Sequence, residues 1–340
     1  MNLVTGATGM VGSYLTMQLL LDNEEVVAIY RNIHSIEKTK SLFKLMNQEI
    51  LFNEIKWEEV DILNINSLSQ LFHKYRFENI YHCAALVSFD PNDFDVLIKT
   101  NIEGTANMVN FALANKISKF CHVSSIAALG DVEKPDEIID ENTNWNKEVN
   151  HNDYSISKYG SEIEVWRAHQ EGLSVIIVNP GVVLGAGFWH TGSGKIFSQL
   201  QKNSLFYTNG VTGFIDVEDL VKIMILLIKT THKSDNYIVI SENLSYHELI
   251  KLIAKSFKLK QPKYKLGTWV TQILYQIDWL YCFFTNSKRK FSKSIHLSLH
   301  SKNYYFNKKL QSTVDYPLKT IEESIKSIKK YRDLIDKGKL

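Results

Sequence analysis

Residues 5–12 read Thr5-Gly6-Ala7-Thr8-Gly9-Met10-Val11-Gly12, and this stretch decides the fold. The short run Asn2–Thr5 before it predicts a strand. Met10–Leu21 after it predicts a helix. A glycine loop that ends a strand and opens a helix is a candidate dinucleotide site, with Gly6, Thr8, Gly9, Met10, Val11 and Gly12 as its contacts. Glycine lets the backbone turn tightly and approach a pyrophosphate, whose charge suits a helix N-terminus. The spacing is G-x-x-G-x-x-G rather than G-x-G-x-x-G, so glycines that serve packing alone are the competing reading.

Strand-like and helical runs alternate outward from this loop. Strands are predicted at Asn2–Thr5, Glu25–Tyr30, Ile55–Val60, Asn79–His82, Lys119–Ser124 and Ser174–Asn179. Helices are predicted near 10–22, 36–47, 65–75, 93–115 and 153–171. Such alternation implies an α/β fold, a doubly wound parallel sheet covered on both faces. After Pro180 a glycine-rich segment, Gly181–Gly194, breaks the pattern. A helix near 218–230, a strand near Tyr237–Ile240 and a mainly helical tail follow. A nucleotide-binding unit over 1–182, with a return segment at about 205–241, is expected. A smaller, mainly helical substrate or lid unit is expected over 183–204 and 242–340.

The chain has 340 residues, 44% hydrophobic and 22% charged, with 16 Gly and 5 Pro. This composition excludes disordered and collagen-like chains and small disulfide scaffolds. Cys83, Cys121 and Cys282 are odd in number and far apart, which implies free thiols in a reducing compartment. The chain opens directly on the first strand, so no signal peptide is expected and the cytoplasm is the expected location. No apolar run is long enough to predict a spanning helix. The net charge of +2 hides an asymmetry: residues 251–340 carry +14 and residues 1–250 carry −12. An acidic substrate, an anionic membrane surface or a solvated face would each explain it.

At the end of the second strand stands Arg31, where an acid would hold the ribose hydroxyls of NAD. A guanidinium there suits a 2′-phosphate, so NADP is the expected cofactor and NAD the alternative; a solvated surface arginine is the competing reading. Asp61-Ile62, after the third strand, would frame the adenine, or Asp61 would cap a helix. Tyr154 and Lys158 lie four apart on a predicted helix and share a face. An ammonium there is expected to lower the tyrosine pKa and fit it for proton transfer to a carbonyl oxygen. Ser124-Ser125 ends a strand, at the sheet edge where ligands bind, and supplies a hydroxyl; turn chemistry is the alternative.

Taken together these motifs resemble the extended short-chain dehydrogenases/reductases of the NAD-dependent epimerase/dehydratase superfamily. The resemblance covers Asn2 to about Leu227. It rests on the glycine loop, Asp61-Ile62, Tyr81-His82-Cys83-Ala84-Ala85 and Asn101-Ile102-Glu103-Gly104-Thr105. It continues through Val123-Ser124-Ser125, Tyr154 with Lys158, Asn179-Pro180-Gly181 and Phe214-Ile215-Asp216-Val217-Glu218-Asp219. The resemblance implies a Rossmann sheet and roles for single residues. Ser125 polarises the substrate oxygen, Tyr154 is the general acid/base, and Lys158 holds the nicotinamide ribose. Ala84, Ala85 and Asn101 lie by the cofactor, and Pro180 and Val183 pack near the nicotinamide. Two departures narrow the substrate. Thr212 stands where sugar-nucleotide epimerases carry an arginine, and Ile126-Ala127-Ala128 lacks the acidic pair of the dehydratases. With Arg31, these features look more like the dihydroflavonol reductase, cinnamoyl-CoA reductase and 3β-hydroxysteroid dehydrogenase branch.

The expected activity is therefore NADPH-dependent reduction of a carbonyl on a mostly apolar small molecule, or the reverse oxidation. A sugar epimerase or dehydratase using NAD is one alternative, and a dinucleotide-sensing protein without catalysis another. Ser88, Phe188 and Trp189 are candidate substrate contacts, with lid packing as the other reading for Phe188 and Trp189. Trp269–Phe284 holds six aromatics, and Lys288-Arg289-Lys290 follow it. A helix apolar around most of its girth is usually buried. Peripheral membrane contact through 269–290 and a homodimer face are the alternatives. His296 and His300 have metal-compatible spacing but no evident third ligand, so no metal site is predicted. No nucleic-acid motif is present, and nucleic acid is not an expected partner.

Overall fold

The computed structural model describes residues 1–132, 137–200, 206–229, 234–285, 287, 289 and 291–336. Seven strands form one parallel sheet: β1 (Asn2–Thr5), β2 (Val26–Tyr30), β3 (Lys56–Glu59), β4 (Asn79–His82), β5 (Lys119–Val123), β6 (Val175–Pro180) and β7 (Asp235–Val239). Their spatial order is β7-β6-β5-β4-β1-β2-β3. The order reverses beside β1, which opens a crevice at the carboxyl ends of the strands. Register brings Thr5 opposite His82, His82 opposite His122 and Val123 opposite Val178. The loops that leave β1, β4, β5 and β6 therefore share one edge.

The central strands are apolar because helices cover both faces. Leu3, Val27, Ile80, Phe120, Val175 and Ile177 pack on one face with helices Ile65–Lys74 and Gly104–Ala114. Val4, Ala28, Tyr81, Cys121, Ile176 and Val178 pack on the other with helices Met10–Leu21 and Val217–Lys229. Strands at 182–184, 211–216 and 242–245 build a separate three-stranded sheet beside this core.

The predicted helix near 93–115 is broken into three parts. A turn at Phe94–Leu97 leads to a π-helical segment, Ile98–Glu103, and then to helix Gly104–Ala114. π-Segments are frequent where a helix must present a functional side chain.

Helix Thr268–Thr285 contradicts the expectation of burial. Only Thr271 and Cys282 are buried on it, and most of its aromatics face outward. Lys288 and Lys290 lie outside the described residues, while Arg289 pairs with Asp278. His296 and His300 both hydrogen-bond the Thr271 hydroxyl at 2.8 Å. Cys83, Cys121 and Cys282 are not joined in a disulfide. Among the described residues no helix is long and apolar enough to cross a membrane.

Candidate active site

The glycine loop has the geometry its sequence demands. Gly6 adopts φ +65°, and a Cβ there would lie 2.6 Å from the Ala84 backbone nitrogen. A Cβ on Gly12 would lie 2.2 Å from the Gly6 carbonyl oxygen. These glycines thus let the loop, β4 and the following helix approach one another. The loop is braced from below: the Ser13 hydroxyl donates to the Ala7 carbonyl at 2.8 Å, and Thr39 donates to it at 3.1 Å.

Helix Met10–Leu21 begins at Gly9 without a side-chain cap and without an acid in its first turn. Its first amide groups keep their capacity to bind an anion. Gly9 is exposed, Thr8, Met10 and Val11 are half-buried, and an added Cβ on Gly9 would meet only the Gly6 carbonyl. This loop fits a dinucleotide pyrophosphate.

Arg31 is exposed at the carboxyl end of β2. The Asp61 carboxylate accepts from the Leu63 amide at 2.9 Å, while Asn64 accepts from Ser67 and caps the next helix. Asp61 is therefore not the cap. Ile62 is buried, and a Cβ on Gly104 would lie 2.5 Å from its Cδ1. The Ala84 amide donates to the Thr5 hydroxyl at 3.1 Å, and Ala85 beside it is exposed. Pro180 is buried at the end of β6, and Val183 pairs with Ile215 in the smaller sheet.

The Asn152 side chain accepts from the Ser155 amide and starts helix Asp153–Gln170. Tyr154 thus lies in the first turn, and Lys158 lies one turn further in. The Ser125 side chain lies close enough to Tyr154 to act on its phenol. Of the serine pair, Ser125 lies beside Tyr154, while Ser124 is buried beside Glu162. The Ser125 oxygen also accepts from the Ala127 amide, so turn chemistry and site geometry coexist at one residue.

The expected effect of Lys158 on Tyr154 is not what the structure shows. Burial raises the Tyr154 pKa, and the neighbouring Ser125 hydroxyl pulls it back only in part. Lys158 is 1% exposed and donates to the Val123 carbonyl at 2.9 Å. Burial lowers its pKa to about 8, against the raising influence of the Glu162 carboxylate. Spacing alone could not reveal that the ammonium is already engaged by a backbone carbonyl.

Three neighbours have no role assigned from the sequence. Glu162 is buried four residues after Lys158; burial pushes its pKa up to about 7, against the nearby Ser124 hydroxyl, the Asn179 hydrogen bond and the charge of Lys158. The Asn179 amide donates to Glu162 at 2.6 Å and to the Ser125 carbonyl at 3.1 Å. Together they tie the Ser125 backbone to the Lys158 helix. The i,i+4 spacing of Glu162 from Lys158 was the available signal. Phe89 is the third: its ring meets Tyr154 edge-on at 5.8 Å. Asn101 sits in the π-segment, donating to the Leu86 carbonyl and the Ser157 hydroxyl and accepting from the Leu86 amide.

The candidate substrate contacts need correction. Ser88 donates to Asp93 at 2.7 Å and accepts from the Asp90 amide, so its hydroxyl is committed to a turn. Phe188 and Trp189 are buried in core clusters, with Trp189 edge-on to Phe197. Lid packing is the role they perform. Gly194 serves the same packing, since a Cβ on it would lie 2.0 Å from the Phe188 carbonyl oxygen.

Residues 2–241 match the model of the NAD dependent epimerase/dehydratase family. Cinnamoyl-CoA reductase 1 of Petunia hybrida is 26% identical over 275 residues, spanning 78% of this chain and 78% of its own. Dihydroflavonol 4-reductase of Gerbera hybrida is 26% identical over 279 residues, spanning 78% of this chain and 74% of its own. UDP-glucuronic acid 4-epimerase from Bacillus cereus, solved with UDP-glucuronic acid and NAD, superposes with a TM-score of 0.75 at 17% identity, over 98% of this chain and 99% of that one. That last likeness speaks for the fold alone.

Proposed function

The chain belongs to the NAD-dependent epimerase/dehydratase family, as an NAD(P)-dependent enzyme of the extended short-chain dehydrogenase/reductase type, and on that premise we propose that it reduces a carbonyl on a mostly apolar small molecule, with NADPH as donor. The observation that carries this reading is the placement of Ser125 beside Tyr154 at the carboxyl edge of the sheet, one helical turn from the buried Lys158.

The glycine loop and the uncapped helix start would hold the pyrophosphate, and Arg31 a 2′-phosphate. When bound, the cofactor supplies the hydride. The chain's own residues manage the oxygen. Ser125 donates a hydrogen bond to the carbonyl oxygen, and Tyr154 delivers the proton that turns it into a hydroxyl. The raised Tyr154 pKa suits this direction, because the phenol stays protonated until the oxygen gains charge. Lys158, held by Val123, contributes positive charge under the site without moving.

The apolar substrate class is supported by the rim. Phe89 faces Tyr154, and Val87 beside it is 57% exposed. Thr212 and Ile126-Ala127-Ala128 offer no charged grip for a sugar diphosphate. The reading is tested by screening apolar aldehydes and ketones with NADPH or NADH, in parallel with UDP-hexoses. Carbonyl-dependent NADPH consumption is the expected result. Interconversion of UDP-hexoses without net cofactor consumption would replace this reading with epimerisation.

A further inference from the structure

Helix Thr268–Thr285 is inside out. At helical spacing, Thr271, Tyr275, Asp278 and Cys282 face the protein, and each is buried or half-buried. Three of the four make polar anchors. The Thr271 hydroxyl bonds both His296 and His300 at 2.8 Å. Asp278 pairs with Arg289 at 2.7 Å, and the Tyr275 carbonyl accepts from the same guanidinium at 3.0 Å. The outward side is mostly apolar: Trp269 is 68% exposed, Phe283 70% and Phe284 77%, with Ile277, Trp279 and Tyr281 also exposed, and Gln272 and Gln276 are exposed polar residues among them. A helix at a water surface has the opposite polarity. A contiguous apolar face of this kind marks an interaction site.

The surrounding charge identifies the occupant. Residues 258–302 contain nine Lys or Arg and one acid, Asp278, which is already paired. Lys260, Lys263, Lys265, Lys293 and Lys302 are exposed. A two-fold contact with a second copy would set two such basic regions against each other. Anionic lipid headgroups would neutralise them, while the aromatics enter the boundary between headgroups and acyl chains. The helix has 18 residues and does not qualify as a span. We propose that Thr268–Thr285 is an interfacial helix that docks this chain on an anionic phospholipid surface.

The docking helix is joined to the site. The Arg289 amide donates to the Asp90 carboxylate at 3.2 Å, and Asp90 follows Phe89, whose ring meets Tyr154. Resting on the proposed reductase function, this link sets the mouth of the site beside the bilayer, where a lipid-soluble carbonyl would be concentrated.

The test is co-sedimentation of the full chain with vesicles of phosphatidylcholine alone and of phosphatidylcholine with about a quarter phosphatidylglycerol. The expected result is binding to the anionic vesicles at least about tenfold tighter than to the neutral ones, weakened by added salt. The triple variant Trp279→Ser, Phe283→Ser, Phe284→Ser should lose vesicle binding about tenfold or more and keep its NADPH affinity, which reports that it is folded. Absence of binding to anionic vesicles, or binding retained by the folded triple variant, overturns the proposal. A discrete dimer in sedimentation velocity that the triple substitution disperses also overturns it, by assigning the face to a second copy. Vesicle binding without any affinity for NADPH would refute the reductase reading and leave the docking helix standing.

Discussion

Lys158 gives its ammonium to the carbonyl oxygen of Val123, 2.9 Å away at the end of β5. The lysine is thereby fixed to the sheet edge that also carries Ser125, and the Tyr154 helix is fixed with it. Tyr154 then keeps a phenol whose pKa burial raises. A protonated tyrosine is the form that reduction of a carbonyl requires.

Tyr154→Phe removes the proposed proton donor and little else. The ring, its edge contact with Phe89 and the helix start remain. Steady-state turnover should fall by about 10²–10⁴-fold. NADPH affinity, read by fluorescence titration, should change less than about twofold. Unchanged turnover would remove Tyr154 from the mechanism.

Glu162 acts through Lys158 as a positioning and tuning residue. Its carboxylate raises the Lys158 pKa, which burial has lowered to about 8. Glu162→Gln keeps an oxygen for the Asn179 amide and removes the charge. The alkaline limb of kcat/KM should then move to lower pH, because Lys158 loses its proton more easily. A limb that stays in place would make Glu162 merely structural.

The same residue has a stability signature. Its folded pKa of about 7 exceeds the ordinary carboxylate value. The folded chain therefore holds this proton more tightly than the unfolded chain. Its contribution is fully present below the unfolded pKa and is lost as pH rises through about 7. In Glu162→Gln this loss disappears, so the melting temperature of the variant should gain on the parent between about pH 5 and pH 8. A constant difference across that range would contradict the assignment.

Two glycines separate packing against backbone from packing against a yielding side chain. Gly12→Ala would drive a Cβ to 2.2 Å from the Gly6 carbonyl oxygen, and no rotamer relieves that. Gly104→Ala would meet the Ile62 methyl end, which can turn aside. Denaturant titration should show a loss of about 3 kcal/mol or more for Gly12→Ala and under about 1 kcal/mol for Gly104→Ala. Equal losses would mean that the loop adjusts as freely as a side chain.

Much of this was legible in the sequence because it is local. The loop Thr5–Gly12, the central strands and the Tyr154–Lys158 spacing each carry a short-range signal. The order of the strands adds what the motifs need, a shared edge for Thr5, His82, Val123 and Pro180. What was not legible depends on partners far along the chain. Ser88 looks like a substrate contact until Asp93 takes its hydroxyl. Phe188 and Trp189 look like pocket walls until the core closes around them. The aromatic run at 269–284 has the composition of a buried helix. Only the anchors of Thr271 and Asp278 reveal that these two polar residues face inward and most of the aromatics do not. Composition counts apolar residues; it does not say which side of the helix the protein occupies.

The central claim is an NADPH-dependent active site whose selectivity rests on Arg31, and one titration tests it directly. Binding of NADPH and of NADH to the purified chain is measured side by side, for the parent and for Arg31→Ala. NADPH should bind at least about tenfold tighter than NADH, and Arg31→Ala should erase that margin while leaving NADH affinity within about twofold. Equal affinities in the parent, or a preference for NADH that the substitution does not touch, would contradict the account.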